Sequence, residues 1–253
     1  MTATFWRESF IIGRRQMRMN LRNPAWVLIG IFQPVLYLLL FGPLLRPLVQ
    51  QLGVENEYTF FVPGMLVQLG IFGAFFAGFS LIGEWREGVI EAERVTPASR
   101  TALLVGRLGR DLVQLFVQAV ILVALGYVLG MRAPFGGIVL GVVLTLVVGG
   151  ACAAASNALA LTTKSEDVMA PVINVVMMPV LLLSGILLPM TLGPTWLEKA
   201  SEFMPVRHIV DAVRSSFAGE VVGSGLLWGT LWSGALLVVA LWWGTSTFRT
   251  ENA

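Results

Sequence analysis

Six stretches of this chain contain no Asp, Glu, Lys or Arg at all: 23–45, 58–83, 112–131, 133–163, 168–197 and 221–248. A helix that crosses roughly 30 Å of hydrocarbon needs about 20 mostly apolar residues. Every one of the six meets that length. Lipid also demands that each backbone N–H and C=O be paired within the segment, which a helix does and an open loop does not. The chain therefore reads as an all-α integral membrane protein with six transmembrane helices.

Composition agrees. Only 13% of the 253 residues are charged and 56% are hydrophobic, whereas a soluble domain carries roughly 25% charge. So little polar surface cannot cover a water-facing globule. The net charge of +2, with no large basic face away from the membrane ends, argues against a nucleic-acid partner. Cys152 is the only cysteine and His208 the only histidine, so neither an intrachain disulfide nor a multi-His metal site is expected. No metal site and no catalytic residue is expected on this chain. No cleavable signal peptide is expected either: the first apolar run starts near Trp26, after five arginines, and no small-residue cleavage site comes after it.

Turn residues trim the stretches to spans at 24–45, 60–83, 108–130, 135–162, 167–189 and 225–246. Only Arg132, Ala133 and Pro134 separate the third from the fourth. The fifth is expected to end near Pro189, because Pro189, Gly193 and Pro194 break the helix there. The fourth holds Gly149, Gly150, Ala151, Ala153, Ala154 and Ala155. Small residues let helices approach closely, so this span should pack at the centre. Pro34, Pro171 and Pro179 should bend their helices.

The arginines predict orientation. Arg7, Arg14, Arg15, Arg18 and Arg22 precede the first span. Arg86, Arg94, Arg100, Arg107 and Arg110 lie between the second and third, and Lys164 and Arg249 fall on the same side. The opposite side has Arg46, Arg132, Lys199, Arg207 and Arg214. The positive-inside rule puts the richer side, and with it both termini, in the cytoplasm. The arginines of residues 1–23 fall within about a 100° arc of a helix, with Phe5, Trp6, Phe10 and Met17 mostly outside it. This predicts an amphipathic helix lying in the membrane interface, with Arg14, Arg15, Arg18 and Arg22 on its polar face. A positive tail without fixed structure is the alternative.

Residues 84–111, EWREGVIEAERVTPASRTALLVGRLGRD, form the one long charged insertion on that side. Glu84, Glu87, Glu91 and Arg94 recur at spacings of three and four, so a short helix can present them together. Pro97 ends it, and Ser99 can cap the next helix. Such a projecting helix suits docking of a soluble partner, although a merely connecting loop would carry the same pattern.

At membrane depth the polar residues are few. Asp111, Gln114 and Gln118 lie on one face of the third span, and Gln33, Gln68, Ser156, Asn157 and Asn174 sit in others. Unpaired polar groups are costly in lipid. Gln33, Gln68, Gln114, Gln118, Asn157 and Asn174 could therefore line a translocation route, or could hydrogen-bond between helices. Asp111 near its span end has Arg107 or Arg110 as a partner.

The charged insertion resembles the intracellular loop of ABC-2 type transporter permeases, in particular the daunorubicin-resistance-like branch. The matching residues are Glu84, Arg86, Glu87 and Gly88, then Pro97, Ser99 and Arg100, then Gly106, Arg107 and Asp111. A second block, Ser184-Gly185, Pro189, Pro194 to Leu197, Pro205 and Arg214, resembles the family's exit from the fifth span. The resemblance extends over essentially the whole chain, 1–253, as one transmembrane domain. It implies that 84–97 is a coupling helix held in a cleft of a nucleotide-binding subunit, through Glu84, Arg86, Glu87, Gly88, Glu91, Arg94, Pro97 and Arg100. It implies an interface helix at 1–23 and short, partly re-entrant helices at 190–218 on the outer face. The implied complex has two ATPase subunits and a second permease chain, identical or not, in a plasma or inner membrane.

A phosphate-binding loop needs a Gly-rich turn before its Lys and Ser/Thr. The only Lys-Ser pair, Lys164-Ser165, comes directly after Thr163. No cofactor is therefore expected on this chain, and ATP and Mg would be held by the partner. The expected activity is export of a hydrophobic or amphipathic compound, drug or lipid-like, as in drug efflux and antibiotic resistance. A lipid-linked glycan or polysaccharide is the alternative cargo. A membrane-embedded enzyme would need clustered Asp and His, and an ion-coupled transporter would need mid-membrane charges. The sequence offers neither.

Overall fold

A computed structural model describes residues 25–51, 56–90, 100–220 and 222–250. The arginine-rich start of the chain, with Arg14, Arg15, Arg18 and Arg22, lies outside the described residues, as do Glu91, Arg94 and Pro97. Among the described residues the regular elements are all helical. They are α1 (Ala25–Gln51), α2 (Glu57–Phe75), α3 (Ala77–Arg86), α4 (Arg100–Val128), α5 (Phe135–Thr163) and α6 (Glu166–Leu183). After a 3-10 turn at Met190–Leu192 come α7 (Thr195–Glu202), α8 (Pro205–Phe217) and α9 (Ser224–Thr250). Among the described residues six segments are long and apolar enough to cross a membrane, with α2 and α3 together forming the second.

The central helix is α5, which packs against α2, α3, α4, α6, α8 and α9. Its small residues make this possible. A Cβ on Gly137 would overlap the Ser216 carbonyl of α8, and one on Gly141 would stand 2.6 Å from the Phe217 ring. On the other flank a Cβ on Gly70 of α2 would come within 3.0 Å of the Thr145 carbonyl. Most of α2 is buried around its whole circumference, as expected of a helix that is apolar on every side.

The bundle has two distinct ends. At one, Asn56 caps α2 by accepting from the Tyr58 N–H at 2.8 Å, and its amide donates to the Gly130 carbonyl at 2.8 Å. This ties the start of α2 to the α4–α5 turn. The same end carries α7 and α8. At 13 residues, α8 is too short to cross a bilayer. It buries Val206, Ile209, Val210, Val213 and Phe217, a helical stripe, against the bundle. The opposite, basic end carries α3, the first turns of α4, and Lys164, whose left-handed backbone (φ 50°) closes α5.

Two elements differ from the sequence reading. The fifth span stops at Leu183, well short of Pro189, because the chain turns at Ser184-Gly185 with Gly185 at φ 73°. The second is interrupted at Phe76, where neither Gly nor Pro marks the site.

Candidate functional site

The basic end is organised by a buried ion cluster. Arg107, near the start of the apolar part of α4, is only 2% exposed, and its guanidinium donates to Glu84 Oε2 from two nitrogens, at 2.8 and 3.3 Å. Next along the same face, Arg110 donates to Asp111 Oδ1 at 2.9 Å and to the Ser80 hydroxyl at 3.0 Å, and stands 3.7 Å from Glu84 Oε1. Two arginines and two carboxylates thus fasten α3 to α4. Desolvated charges of this kind hold only with good geometry and further hydrogen bonds, and both are present.

This placement changes part of the sequence reading. Glu84 pairs inside the chain with Arg107 and is 11% exposed. Glu84 and Arg86 belong to α3, and a turn at Glu87-Gly88 ends that helix, so 84–97 does not begin as one continuous helix. Gly88 has φ 74°, a left-handed conformation that favours glycine. Glu87 and Gly88 are exposed at this corner, and Val89-Ile90 resume helical geometry. Arg86 pairs with Glu166 of α6 at 3.1 Å, both well exposed. Arg100 is the first residue of α4.

Beside the cluster lies a groove of about 510 Å³, lined by Phe76, Phe79 and Ser80 from the α2–α3 break, Arg110 and Asp111 from α4, and Glu166 from α6. That volume falls in the range of small-molecule sites, about 300–1,000 Å³. A smaller cavity of about 30 Å³ continues inward past Asp111, Gln114 and Gln118. The face of α4 with Asp111, Gln114 and Gln118 is therefore assembled as one polar seam. Gln118 is buried and fills the space over Gly30 of α1. The other polar residues are scattered. Gln33 donates to the Tyr37 hydroxyl at 3.2 Å within α1. Gln68 and Asn157 are buried in the packing of α2 and α5, each 1% exposed. Asn174 stands on the exposed face of α6. Of the six polar residues considered for a route, Gln114 and Gln118 line one cavity together.

The α2–α3 break has its own fastening. The Ser156 hydroxyl of α5 donates to the Phe75 carbonyl at 2.5 Å and accepts from the Gly78 N–H at 3.1 Å. Both backbone groups lose their helical partners at such a break.

At the other end Arg214 of α8 pins the loop after α6. It donates to the carbonyls of Gly185 at 2.8 Å, Ile186 at 3.0 Å and Phe60 at 3.4 Å, and its guanidinium lies 3.9 Å over the Phe60 ring. Burial lowers its pKa to about 10, against the opposing pull of Asp211, so it stays charged at neutral pH. Burial likewise raises Asp211, opposed by Arg214, Arg207 and His208. His208 stacks on Trp232 and contacts the Glu202 carbonyl, a packing role. In the sequence, Arg107 and Arg110 are the partners offered to Asp111, and Arg110 is the one that takes it up. The pairing of Arg107 with Glu84 across two helices had no local signal.

The sequence that folds in this way has known relatives. The chain is 29% identical over 216 residues to a transport permease, ycf38, of Cyanophora paradoxa, an alignment covering 83% of this chain and 74% of the relative. It is 25% identical to the multidrug ABC transporter permease YbhR of Escherichia coli, over 80% of this chain but only 56% of the relative, so it spans little more than half of that protein. It is 26% identical to the daunorubicin resistance ABC transporter permease protein DrrB1 of Streptomyces coeruleorubidus, over 78% of this chain and 70% of the relative. The pattern of the ABC-2 type transporter family matches residues 7–218. With six apolar spans and a match over most of its length, the chain belongs to the ABC-2 type transporter family and is a multi-pass membrane protein.

Proposed function

We propose that this chain is the membrane-spanning permease of an ATP-driven exporter, in which separate nucleotide-binding subunits hold ATP and Mg and hydrolyse the nucleotide. The cargo is a hydrophobic or amphipathic small molecule, drug-like or lipid-like, leaving the cytoplasm. The end that carries α3, the start of α4 and Lys164 faces the cytoplasm, as the positive-inside count over the sequence favours. The observation that carries the reading is the exposed corner Glu87-Gly88 at the end of α3. Behind it, the Glu84–Arg107 pair makes α3 and α4 move together, and the 510 Å³ groove opens beside the same two helices. A push on the corner therefore reaches a cargo-sized space through a stiff connection. Two ATPase subunits and two permease chains complete the machine, and the exposed, polar-bearing face of α6 suits a contact between permeases.

Co-reconstitution with the partner ATPase in proteoliposomes tests this. Glu87→Arg should lower cargo-stimulated ATP hydrolysis and export about tenfold or more, an effect of about 1.4 kcal/mol, with normal insertion and melting. Export at the wild-type rate by this variant would remove the coupling role from the corner.

A further inference from the structure

The segment just past the fifth span is buried without being helical. Ser184, Gly185 and Ile186 are all enclosed, and the chain turns left-handed at Gly185. Buried carbonyls off a helix need a donor from elsewhere. Here one nitrogen, Arg214 Nη2, serves two of them, Gly185 at 2.8 Å and Ile186 at 3.0 Å. The segment seats on α2 at Gly64, where a Cβ would stand 2.6 Å from the Ile186 oxygen.

This seat leaves two groups short. Among the described residues the Arg214 guanidinium forms no ion pair. Asp211, three residues back on α8, acts on it only through space. Gln68, one turn deeper than Gly64 on the same side of α2, is 1% exposed, and neither atom of its carboxamide has a hydrogen-bond partner. Its side chain leans back towards Gly64, as helical side chains do. An enclosed cation without a counter-charge and a buried amide without a partner are both relieved if the segment moves off. Asp211 is available to receive the cation. It is 49% exposed, and its contact with Arg207 is long, at 3.7 Å. Arg207 itself is anchored on the Glu198 carbonyl at 2.9 Å and on the Ser201 hydroxyl. Residues three apart on a helix are surface neighbours, within reach of each other's side chains.

We propose that Arg214 is a latch with two seats. On the Gly185 and Ile186 carbonyls it holds the segment after α6 shut against α2. On Asp211 it lets that segment swing away and opens Gly64 and Gln68 to water at this end of the bundle. The latch goes beyond the exporter reading, because it belongs to one chain and works without ATP or a partner.

Thiol labelling of the full chain in nanodiscs, which leave both membrane faces open, tests it. Cys152→Ala removes the native thiol and Ser184→Cys places a near-isosteric one in the segment. The rate of reaction with a negatively charged maleimide then reads how often the segment swings out. Arg214→Gln should speed labelling about tenfold or more, while Asp211→Asn should slow it about tenfold, because the second seat is lost. A carboxylate that only stabilised the fold would show the opposite sign, since a loosened protein labels faster. Gly64→Ala, which presses on the Ile186 carbonyl and leaves every charge in place, should speed labelling too. Phe60→Leu removes the ring under the guanidinium and should speed it about threefold. Labelling of Asp211→Asn at or above the parent rate overturns the second seat. Labelling of Arg214→Gln at the parent rate overturns the first, and if that variant does not fold, Phe60→Leu decides in its place. All these rates are read without nucleotide, so they hold or fail separately from ATP-driven export.

Discussion

Arg107 is the residue on which the basic end depends. It is almost wholly buried, it bears a permanent charge, and Glu84 is the carboxylate that neutralises it. Removing one member of a buried pair leaves an uncompensated charge and costs about 3–5 kcal/mol. Glu84→Ala and Arg107→Ala should each therefore lower the melting temperature sharply and reduce the amount of folded protein. Arg86→Ala breaks only the exposed contact with Glu166, for which about 0–1 kcal/mol is the usual scale. Thermal unfolding of the three variants in one detergent checks the contrast, and equal destabilisation would contradict it. This difference was hidden in the sequence. Glu84 and Glu87 sit one helical turn apart in one charged run and look alike, yet one points into a cluster and the other into water. Burial of Glu84 depends on Arg107, which belongs to the next helix, and no local periodicity reports a pairing across two helices.

At the scale of elements, the break between α2 and α3 has the clearest mechanical meaning. Ser156 replaces two lost helical partners at once, so the second span bends without leaving backbone groups orphaned in an apolar interior. The approach is close: a Cβ on Gly78 would stand 2.5 Å from the Ser156 carbonyl oxygen and 2.6 Å from its hydroxyl. Ser156→Ala should cost about 1–3 kcal/mol, the penalty for an unsatisfied buried donor and acceptor, and Gly78→Ala should be worse because α3 must move off α5. Faster amide exchange at Gly78 in the Ser156 variant would show that the hydroxyl holds the break, whereas unchanged exchange there would show that packing alone does. The six spans themselves were legible, because a charge-free run as long as a bilayer is thick is a property of sequence alone. The central place of α5 was legible too, from its glycines and alanines. The break was not, since its cause is a hydroxyl on another helix, far along the chain from Phe76. Nor was the early stop of α6, because Ser184-Gly185 can continue a helix or leave it, and Arg214 holding the Gly185 and Ile186 carbonyls favours leaving.

Across the whole molecule, the outward faces of α6 and α9 differ in a way that lipid would enforce. The exposed side of α9 carries Leu227, Trp228, Leu231, Val238, Val239, Trp242 and Trp243, and the Thr230 hydroxyl is satisfied by the Leu226 carbonyl of its own helix. Tryptophans towards both ends with aliphatic residues between them match a lipid-facing helix with interfacial anchors. The exposed side of α6 instead places Asn174 among Val168, Val172, Val175 and Met178. A carboxamide turned to hydrocarbon forfeits its hydrogen bonds, and polar side chains in membranes are found against other helices for that reason. On the exporter reading the covering surface is the second permease chain. Cys152 is the only cysteine, so Cys152→Ala gives a clean background for crosslinking. In that background Asn174→Cys should form a covalent dimer on mild oxidation in native membranes, and Val238→Cys on α9 should remain monomeric. If the α9 cysteine crosslinks and the α6 cysteine does not, the two faces have been assigned the wrong way round, and the permease pairs through its tryptophan-bearing helix.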